Sequence, residues 1–189
     1  MMLDRKRLAR LLQAFPRKTI PAGSLRRAAV LVPLFQREDR GFLLFTERTA
    51  HLEHHAGEIS FPGGGQDADD SDLNATALRE TEEELGIDQR QIEILGRLDD
   101  FYSVHGYHVV PFVGVIPKPD NLKYDPFEIA ATFEAPLEHF RNPRIHRVED
   151  WRHRGRTHQV DFYEFEDRII WGLTAAILRQ LLEETVGIL

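Results

Sequence analysis

PGGGQDADDSD (62–72) runs without a break into LNATALRETEEEL (73–85) and then Gly86. The change of rhythm between the two stretches decides the fold. The first is glycine-rich and acidic and reads as a turn-rich loop. In the second the spacing turns helical, with Asn74, Ala77, Leu78, Thr81 and Leu85 on one face. Ser71 or Asp72 stands where an N-cap belongs, and Gly86 stands where a C′ glycine belongs. On this helix Glu80, Glu83 and Glu84 fall at i, i+3 and i+4, within an arc of roughly 100°. Three carboxylates on one arc repel each other. Either water solvates them or a divalent cation neutralises them. Oxygen-only donors point to Mg²⁺ or Mn²⁺ rather than zinc. Three neighbours favour the cation. Gly63, Gly64 and Gly65 permit close backbone approach. Asp67 and Asp70 add carboxylates in the loop. Arg79 can orient a carboxylate through a bidentate pair.

Working outward, RRAAVLVPLFQ (26–36) and FLLFTE (42–47) flank a short glycine-containing turn and read as a hairpin. GEISF (57–61) is a short strand. QIEILGRL (91–98), YHVVPFVGVI (107–116), IAATFEAPL (129–137) and HQVDFYEFE (158–166) are further strands, with Pro111 expected to leave the second of these interrupted or peripheral. WGLTAAILRQLLEE (171–184) is a terminal helix. Leu3, Leu8, Leu11, Leu12 and Phe15 share a face of an N-terminal docking helix that ends before Pro16; a transit peptide is the weaker reading of that segment. Mixed strands with a few helices imply an α/β fold, a sheet covered on both faces. No repeat, linker or domain boundary interrupts the 189 residues, so one domain is expected over 1–189, with 1–22 as a helical extension.

Composition excludes several classes of function. There is no cysteine, hence no disulfide scaffold, cysteine nucleophile or iron–sulfur ligation. That composition is compatible with the cytoplasm. No apolar run approaches the length of a membrane span. The net charge is −7, and between Asp67 and Asp100 twelve acidic residues face three basic ones. Such clustering argues against a nucleic-acid surface and for a place where cations gather. HLEHH (51–55) is not a zinc-protease motif, and the three glycines are not followed by Gly-Lys-Ser/Thr. RIHRVEDWRHRGR (144–156) could suggest RNA binding but reads more safely as a hairpin with a charged rim.

The spacing Gly64-x5-Asp70-x8-Arg79-Glu80-Thr81-x-Glu83-Glu84-x-Gly86-Ile87 resembles the Nudix box, G-x5-E-x7-R-E-U-x-E-E-x-G-U, where U is aliphatic. Asp70 replaces a glutamate, its spacer is one residue longer, and Thr81 replaces an aliphatic residue. The resemblance implies a Nudix-type α/β/α sandwich around a mixed sheet, with residues 63–87 as loop–helix–loop. It also implies hydrolysis of nucleoside diphosphate derivatives with Mg²⁺ or Mn²⁺. Carried over by position, Glu80 and Glu84 are metal ligands and Glu83 is a third ligand or the group that activates water. The carbonyl of Gly64 is a further metal contact, and Arg79 orients the glutamates.

A second stretch resembles the coenzyme A pyrophosphatase subgroup, L-L-T-x-R-[SA]-x3-R-x3-G-x3-F-P-G-G. Leu44, Thr46, Arg48, Gly57 and Phe61-Pro62-Gly63-Gly64 match; Phe45, Thr49 and Glu53 depart. Glu53 replaces a cation with an anion, which bears directly on a phosphorylated substrate. The resemblance implies cleavage of coenzyme A to adenosine 3′,5′-bisphosphate and 4′-phosphopantetheine. Candidate substrate-binding residues are Arg48, Arg26, Arg27, Thr46 and Asp70. Glu128, from a later loop, competes with Glu83 to accept the proton. Phe101, Tyr102 and Tyr107 could line a groove for the pantetheine arm, and His105 and His108 could face the pocket. The alternatives are a Nudix hydrolase of ADP-ribose, NADH or a diadenosine polyphosphate, or a catalytically silent nucleotide-binding domain. The expected partner is a small nucleotide, not nucleic acid or membrane. The oligomeric state stays open, a homodimer being one arrangement.

Overall fold

The computed structural model describes residues 3–21, 23–50, 57–153 and 155–185. Three helices and eleven strands follow in chain order. They are α1 (Arg5–Ala14), β1 (Arg26–Arg37), β2 (Arg40–Arg48), β3 (Ile59–Ser60), β4 (Gly63–Gly65), α2 (Leu73–Leu85), β5 (Glu93–Arg97) and β6 (Phe101–Tyr102). After these come β7 (Tyr107–Val115), β8 (Ile129–Pro136), β9 (His146–His153), β10 (Arg156–Phe165), β11 (Arg168–Trp171) and α3 (Gly172–Glu184). β1 is the spine of an eight-stranded mixed sheet. It runs parallel to β7 and antiparallel to β2 and β4. β2 carries β3 and β8, and β7 carries β5 and β6, all antiparallel.

The apolar run of β1 is continuous because the strand is covered on both faces. Leu31 and Phe35 pack toward α2, with Leu85, Leu44 and Ile129. Val32 and Leu34 pack toward the opposite layer, which holds Leu8 and Leu12 of α1, Leu178 and Leu181 of α3, and Tyr163 and Phe165 of β10. The result is three layers: α2, the mixed sheet, and a second layer of α1, α3 and a small antiparallel sheet ordered β11-β10-β9. The expected α/β/α sandwich is what forms.

The N-terminal helix docks as its pattern implied. Leu8 and Leu12 are fully buried, and Leu12 lies so close to β5 that a Cβ on Gly96 would sit 2.6 Å from the Leu12 Cβ. Asp99 and Asp100 then hold the segment that follows. Asp99 Oδ1 accepts from the Lys18 N–H at 2.7 Å and Asp100 Oδ2 from the Ile20 N–H at 3.0 Å.

Three expectations need correction. β7 is not peripheral: it lies between β1 and β5 and passes through Pro111 unbroken. The Pro111 carbonyl accepts from Leu98 N–H at 3.0 Å, at the gap between the β5 and β6 pairings. The missing proline N–H lies on the same side as that carbonyl, at the gap between the two pairings, where its loss interrupts neither of them. Gly63–Gly65 is not only loop but a short strand on Ala28–Val30. The buried face of α2 is Leu73, Thr76, Ala77, Thr81 and Leu85, shifted from the expected stripe; Asn74 and Leu78 are half-buried. Thr81 tolerates burial because its hydroxyl donates to the Ala77 carbonyl at 2.7 Å. β6 and β11, which the sequence pattern did not assign, are too short to show a period of their own.

Candidate active site

The box begins with a conformational break. Asp72 caps α2 by accepting from Ala75 N–H at 2.8 Å, and Gly86 ends it in the left-handed region with φ 68°. Ahead of the helix, β4 is wedged between β1 and α2. A Cβ on Gly63 would sit 2.3 Å from the Ala29 carbonyl oxygen, and one on Gly64 would sit 2.5 Å from the Glu80 carboxylate. Two glycines are needed here by close approach of a neighbouring strand and of a carboxylate.

Arg79 organises one half of the box. Its guanidinium meets Asp70 side-on, Nε to Oδ1 at 2.9 Å and Nη2 to Oδ2 at 3.0 Å. Nη1 reaches Glu83 at 2.8 Å, and Nη2 also contacts Glu80 at 3.0 Å and the Gly65 carbonyl at 3.1 Å. Asp70 is almost wholly enclosed and also accepts from Asp67 N–H and the Thr76 hydroxyl, each at 2.9 Å. The hydrogen bonds from Arg79 hold the Asp70 carboxyl far below the usual carboxylate range.

Glu84 belongs to a different environment. Its Oε2 accepts from Gly63 N–H at 3.2 Å. Burial dominates and pushes its carboxyl up to about 7, against that hydrogen bond. The charges of Glu80 and Glu128 raise it further, and the charge of Arg48 lowers it. Burial likewise raises Glu80, partly offset by Arg79. Glu83 is the exposed member, 60% accessible beside its Arg79 partner.

Among the described residues no three carboxylates or imidazoles converge tightly enough to hold a metal unaided. Arg79 lies between Asp70, Glu80 and Glu83, and Glu84 turns toward Gly63. The donor set nevertheless fits a hard cation that takes one or two carboxylates and keeps several waters. All donors are oxygens, Gly64 leaves the space a Cβ would fill against Glu80, and the buried Glu84 lacks a full counter-charge.

The other candidates separate. Arg48 is half-buried near Glu84, and its Nε is buried without a hydrogen-bond partner among the described residues. Glu128 is exposed, and its carbonyl accepts from Thr49 N–H at 3.0 Å, tying its loop to β2. Arg26 and Arg27 are exposed at the start of β1, beside the box loop: the Arg27 carbonyl accepts from Gln66 N–H at 2.9 Å. Arg26 stacks on Tyr107, 4.1 Å from its centroid.

Three assignments change. Thr46 is buried, with its hydroxyl on Ser60 at 2.9 Å and 3.1 Å, so it fixes β3 rather than facing a substrate. Asp70 is consumed by Arg79, Thr76 and its own loop, so it positions rather than binds. His108 does not face a pocket either: it is buried with Nε2 on Asp100 at 2.8 Å. Tyr102 is exposed. Glu53 and His51, His54 and His55 lie outside the described residues. Sequence reasoning missed the Gly63 N–H, the Gly65 carbonyl and the Thr76 hydroxyl as partners of the box. Thr76 had a readable signal, six residues after Asp70 in the first turn of an evident helix.

Comparison with known proteins agrees with this geometry. The NUDIX domain profile matches residues 25–167. An uncharacterised Nudix hydrolase, NudL of Photorhabdus laumondii, is 42% identical over 159 residues, 84% of each chain. A MutT/nudix family protein from Enterococcus faecalis superposes with a TM-score of 0.57 over 98% of this chain and 75% of its own, at 17% identity. An Ap4A hydrolase of C. elegans gives 0.50 over 60% of this chain and 82% of its own, at 23% identity. Hydrolases of this kind generally work with divalent cations on small nucleotide-derived substrates, and the chain belongs to the Nudix family of hydrolases.

Proposed function

We propose that this chain is a metal-dependent pyrophosphohydrolase that cleaves the diphosphate of coenzyme A, or of its acyl or oxidised forms, to adenosine 3′,5′-bisphosphate and 4′-phosphopantetheine. The observation that carries the reading is Glu84: a buried carboxylate, pushed up to about 7, beside Glu80 and within reach of Arg48. A buried anion of this kind is costly to keep ionised without a cation. Glu80, Glu84 and the Gly64 carbonyl would hold Mg²⁺ or Mn²⁺. When bound, such an ion offsets phosphate charge and lowers the pKa of bound water.

The remaining work falls to the chain. Arg79 fixes the rotamers of Glu80 and Glu83 while Asp70 fixes Arg79. Arg48 presents a guanidinium whose buried Nε has no hydrogen-bond partner among the described residues, suited to a phosphate oxygen. Arg26 and Arg27 supply further positive charge for the 3′-phosphate. Glu128 or Glu83 takes the proton from the attacking water. Glu83 is already engaged by Arg79 at 2.8 Å, whereas Glu128 projects into solvent near Glu84, which favours Glu128.

A second reading keeps the chemistry and changes the substrate to ADP-ribose, NADH or a diadenosine polyphosphate. Glu53, an anion where the coenzyme A motif has a cation, favours it. Product analysis separates the two. The purified protein is incubated with Mg²⁺ or Mn²⁺ and each substrate in turn. Fastest turnover of coenzyme A, with the bisphosphate as product, supports the first reading; faster turnover of another dinucleotide overturns it. Glu83→Gln and Glu128→Gln assayed side by side identify the base by the larger loss of kcat.

A further inference from the structure

Glu128 lies in the loop between β7 and β8, and that loop is anchored on the box helix. The Lys123 N–H donates to the carbonyl of Leu85, the neighbour of Glu84, at 3.0 Å. Leu122 and Tyr124 pack on the cluster that holds Leu85, Leu44 and Ile129. The end of the loop reaches the same side through a bulge in β8. Glu47 pairs with Ala131 but Arg48 pairs with Ile129, so Ala130 is left over between them. Strict alternation would put Ile129 on the face of Phe133, which packs with the layer of α1 and α3. The extra residue turns Ile129 to the α2 face instead, and so brings the end of the loop to the box helix.

Between those anchors, hydrogen bonds rather than burial set the course of the chain. Asp125, Pro126, Phe127 and Glu128 are all exposed, Phe127 by 73%. Asp125 shapes the turn. Its Oδ1 accepts from Phe127 N–H at 2.9 Å, and its carbonyl accepts from the N–H groups of Glu128 at 3.1 Å and Ile129 at 2.9 Å. These bonds are internal to the loop. Attachment to the sheet comes from Thr49, which follows β2 and is 5% exposed. Its hydroxyl donates to the Phe127 carbonyl at 2.8 Å, and its N–H donates to the Glu128 carbonyl at 3.0 Å. The carbonyls on both sides of the Glu128 Cα are thus held by one residue, the neighbour of Arg48. With both flanking peptides fixed, the direction in which the Glu128 side chain leaves the backbone is fixed too.

We propose that Thr49 is a positioning residue for the hydrolysis: its hydroxyl clamps the peptide before Glu128, aims that carboxylate at the box, and acts on the reaction through Glu128 alone. Aim matters steeply for a proton acceptor, since misplacement by about 1 Å can cost roughly 10²-fold. The Thr49 N–H bond survives any side-chain change short of proline, so the hydroxyl is the part that a substitution removes. Thr49 is also a position at which the chain departs from the coenzyme A motif, which has Ser, with a hydroxyl, or Ala, without one. The role in catalysis rests on the pyrophosphohydrolase reading with Glu128 as the base; the clamp itself does not.

Thr49→Val keeps the shape and removes the hydroxyl, and Thr49→Ser keeps the hydroxyl. Both are made in the full chain, alone and with Glu128→Gln, and assayed with Mn²⁺ on the substrate that product analysis finds fastest. Thr49→Val lowers kcat by roughly tenfold and leaves KM within about twofold, as loss of aim without loss of binding should. In the Glu128→Gln background, itself down by roughly 10²-fold or more, the same change costs nothing further. Amide hydrogen exchange in chelator reads the clamp without turnover. Thr49→Val speeds exchange at Thr49, Glu128 and Ile129 by roughly fivefold, the loss of one hydrogen bond, while β1 and β7 keep their protection. Thr49→Ser restores both kcat and exchange. Wild-type kcat in Thr49→Val, equal loss in Thr49→Ser, or fully multiplied losses in the double variant overturns the proposal. Wild-type kcat in Glu128→Gln overturns Glu128 as the base, and the positioning role with it. Faster exchange in Thr49→Val, with no hydrolysis of any dinucleotide by the wild-type chain, overturns the hydrolase reading and leaves the clamp.

Discussion

Asp70 lies just before a thirteen-residue helix and Glu84 in its last turn, and their surroundings push them in opposite directions. Asp70 meets a guanidinium squarely, accepts two more hydrogen bonds and is held ionised. Glu84 is also enclosed, but only a single backbone N–H and the charge of Arg48 oppose its burial, and its carboxyl rises to about 7. One half of the box is electrically complete within the protein. The other half is incomplete. On the proposed function the difference divides the labour: the Arg79–Asp70 half would build the site, and the Glu80–Glu84 half would take the cation and its substrate.

The largest effect that would break this division is on turnover. Glu84→Gln should lower kcat by roughly 10²–10³-fold, because several kcal/mol of charge stabilisation depends on the ligand set. The fold should survive, since the change removes a buried charge; circular dichroism and steady-state kinetics on one preparation check both halves of the statement. Asp70→Asn should do the reverse. It leaves Arg79 partly unpaired in a half-buried site, so urea denaturation should show a loss of about 3 kcal/mol, with a smaller fall in kcat than Glu84→Gln gives.

The pH dependence of stability sharpens the comparison further. In chelator, Glu84 has a raised carboxyl, so its contribution is fully present below the ordinary glutamate value near 4.5 and is lost as pH rises through about 7. The change is up to about 3 kcal/mol. Asp70 has the opposite sign: its contribution is present above the ordinary aspartate value near 3.8 and lost only as pH falls well below it. Melting in chelator should thus show stability rising from pH 8 to pH 5, and Glu84→Gln should flatten that slope. A wild-type slope of the opposite sign would contradict the burial of Glu84.

The smallest effect concerns the two glycines. Gly63→Ala forces a Cβ into the Ala29 backbone and should cost roughly 1–3 kcal/mol of stability. Gly64→Ala meets only the end of the Glu80 side chain, which can move, so thermal melting should change little while metal-dependent activity falls.

Much of this was legible in the sequence, and the reasons are local. The helix 73–85 declared itself because its period, its cap at Asp72 and its stop at Gly86 all agree. The docking of α1 was readable because Leu8 and Leu12 stand a helical turn apart. What sequence could not supply came from pairing at a distance. Pro111 looks like a strand breaker until its nitrogen is placed at a gap in the ladder. Thr46 and Asp70 look available until Ser60 and Arg79 are seen to engage them. Trp151, Phe162 and Trp171 are up to twenty residues apart in sequence, and their rings meet only through the register of β9, β10 and β11. The opposite fates of Asp70 and Glu84 were equally hidden, because both are carboxylates in an acidic run and the partners that each one meets, a guanidinium for Asp70 and a lone backbone N–H for Glu84, are set by the fold.

Calorimetric titration of Mn²⁺ into the wild-type chain, Glu84→Gln and Asp70→Asn at pH 8 tests the division of labour most directly. The account predicts that Glu84→Gln weakens Mn²⁺ by at least about tenfold, while Asp70→Asn, though less stable, keeps most of the affinity. Undiminished binding in Glu84→Gln, or a greater loss in Asp70→Asn, would contradict it.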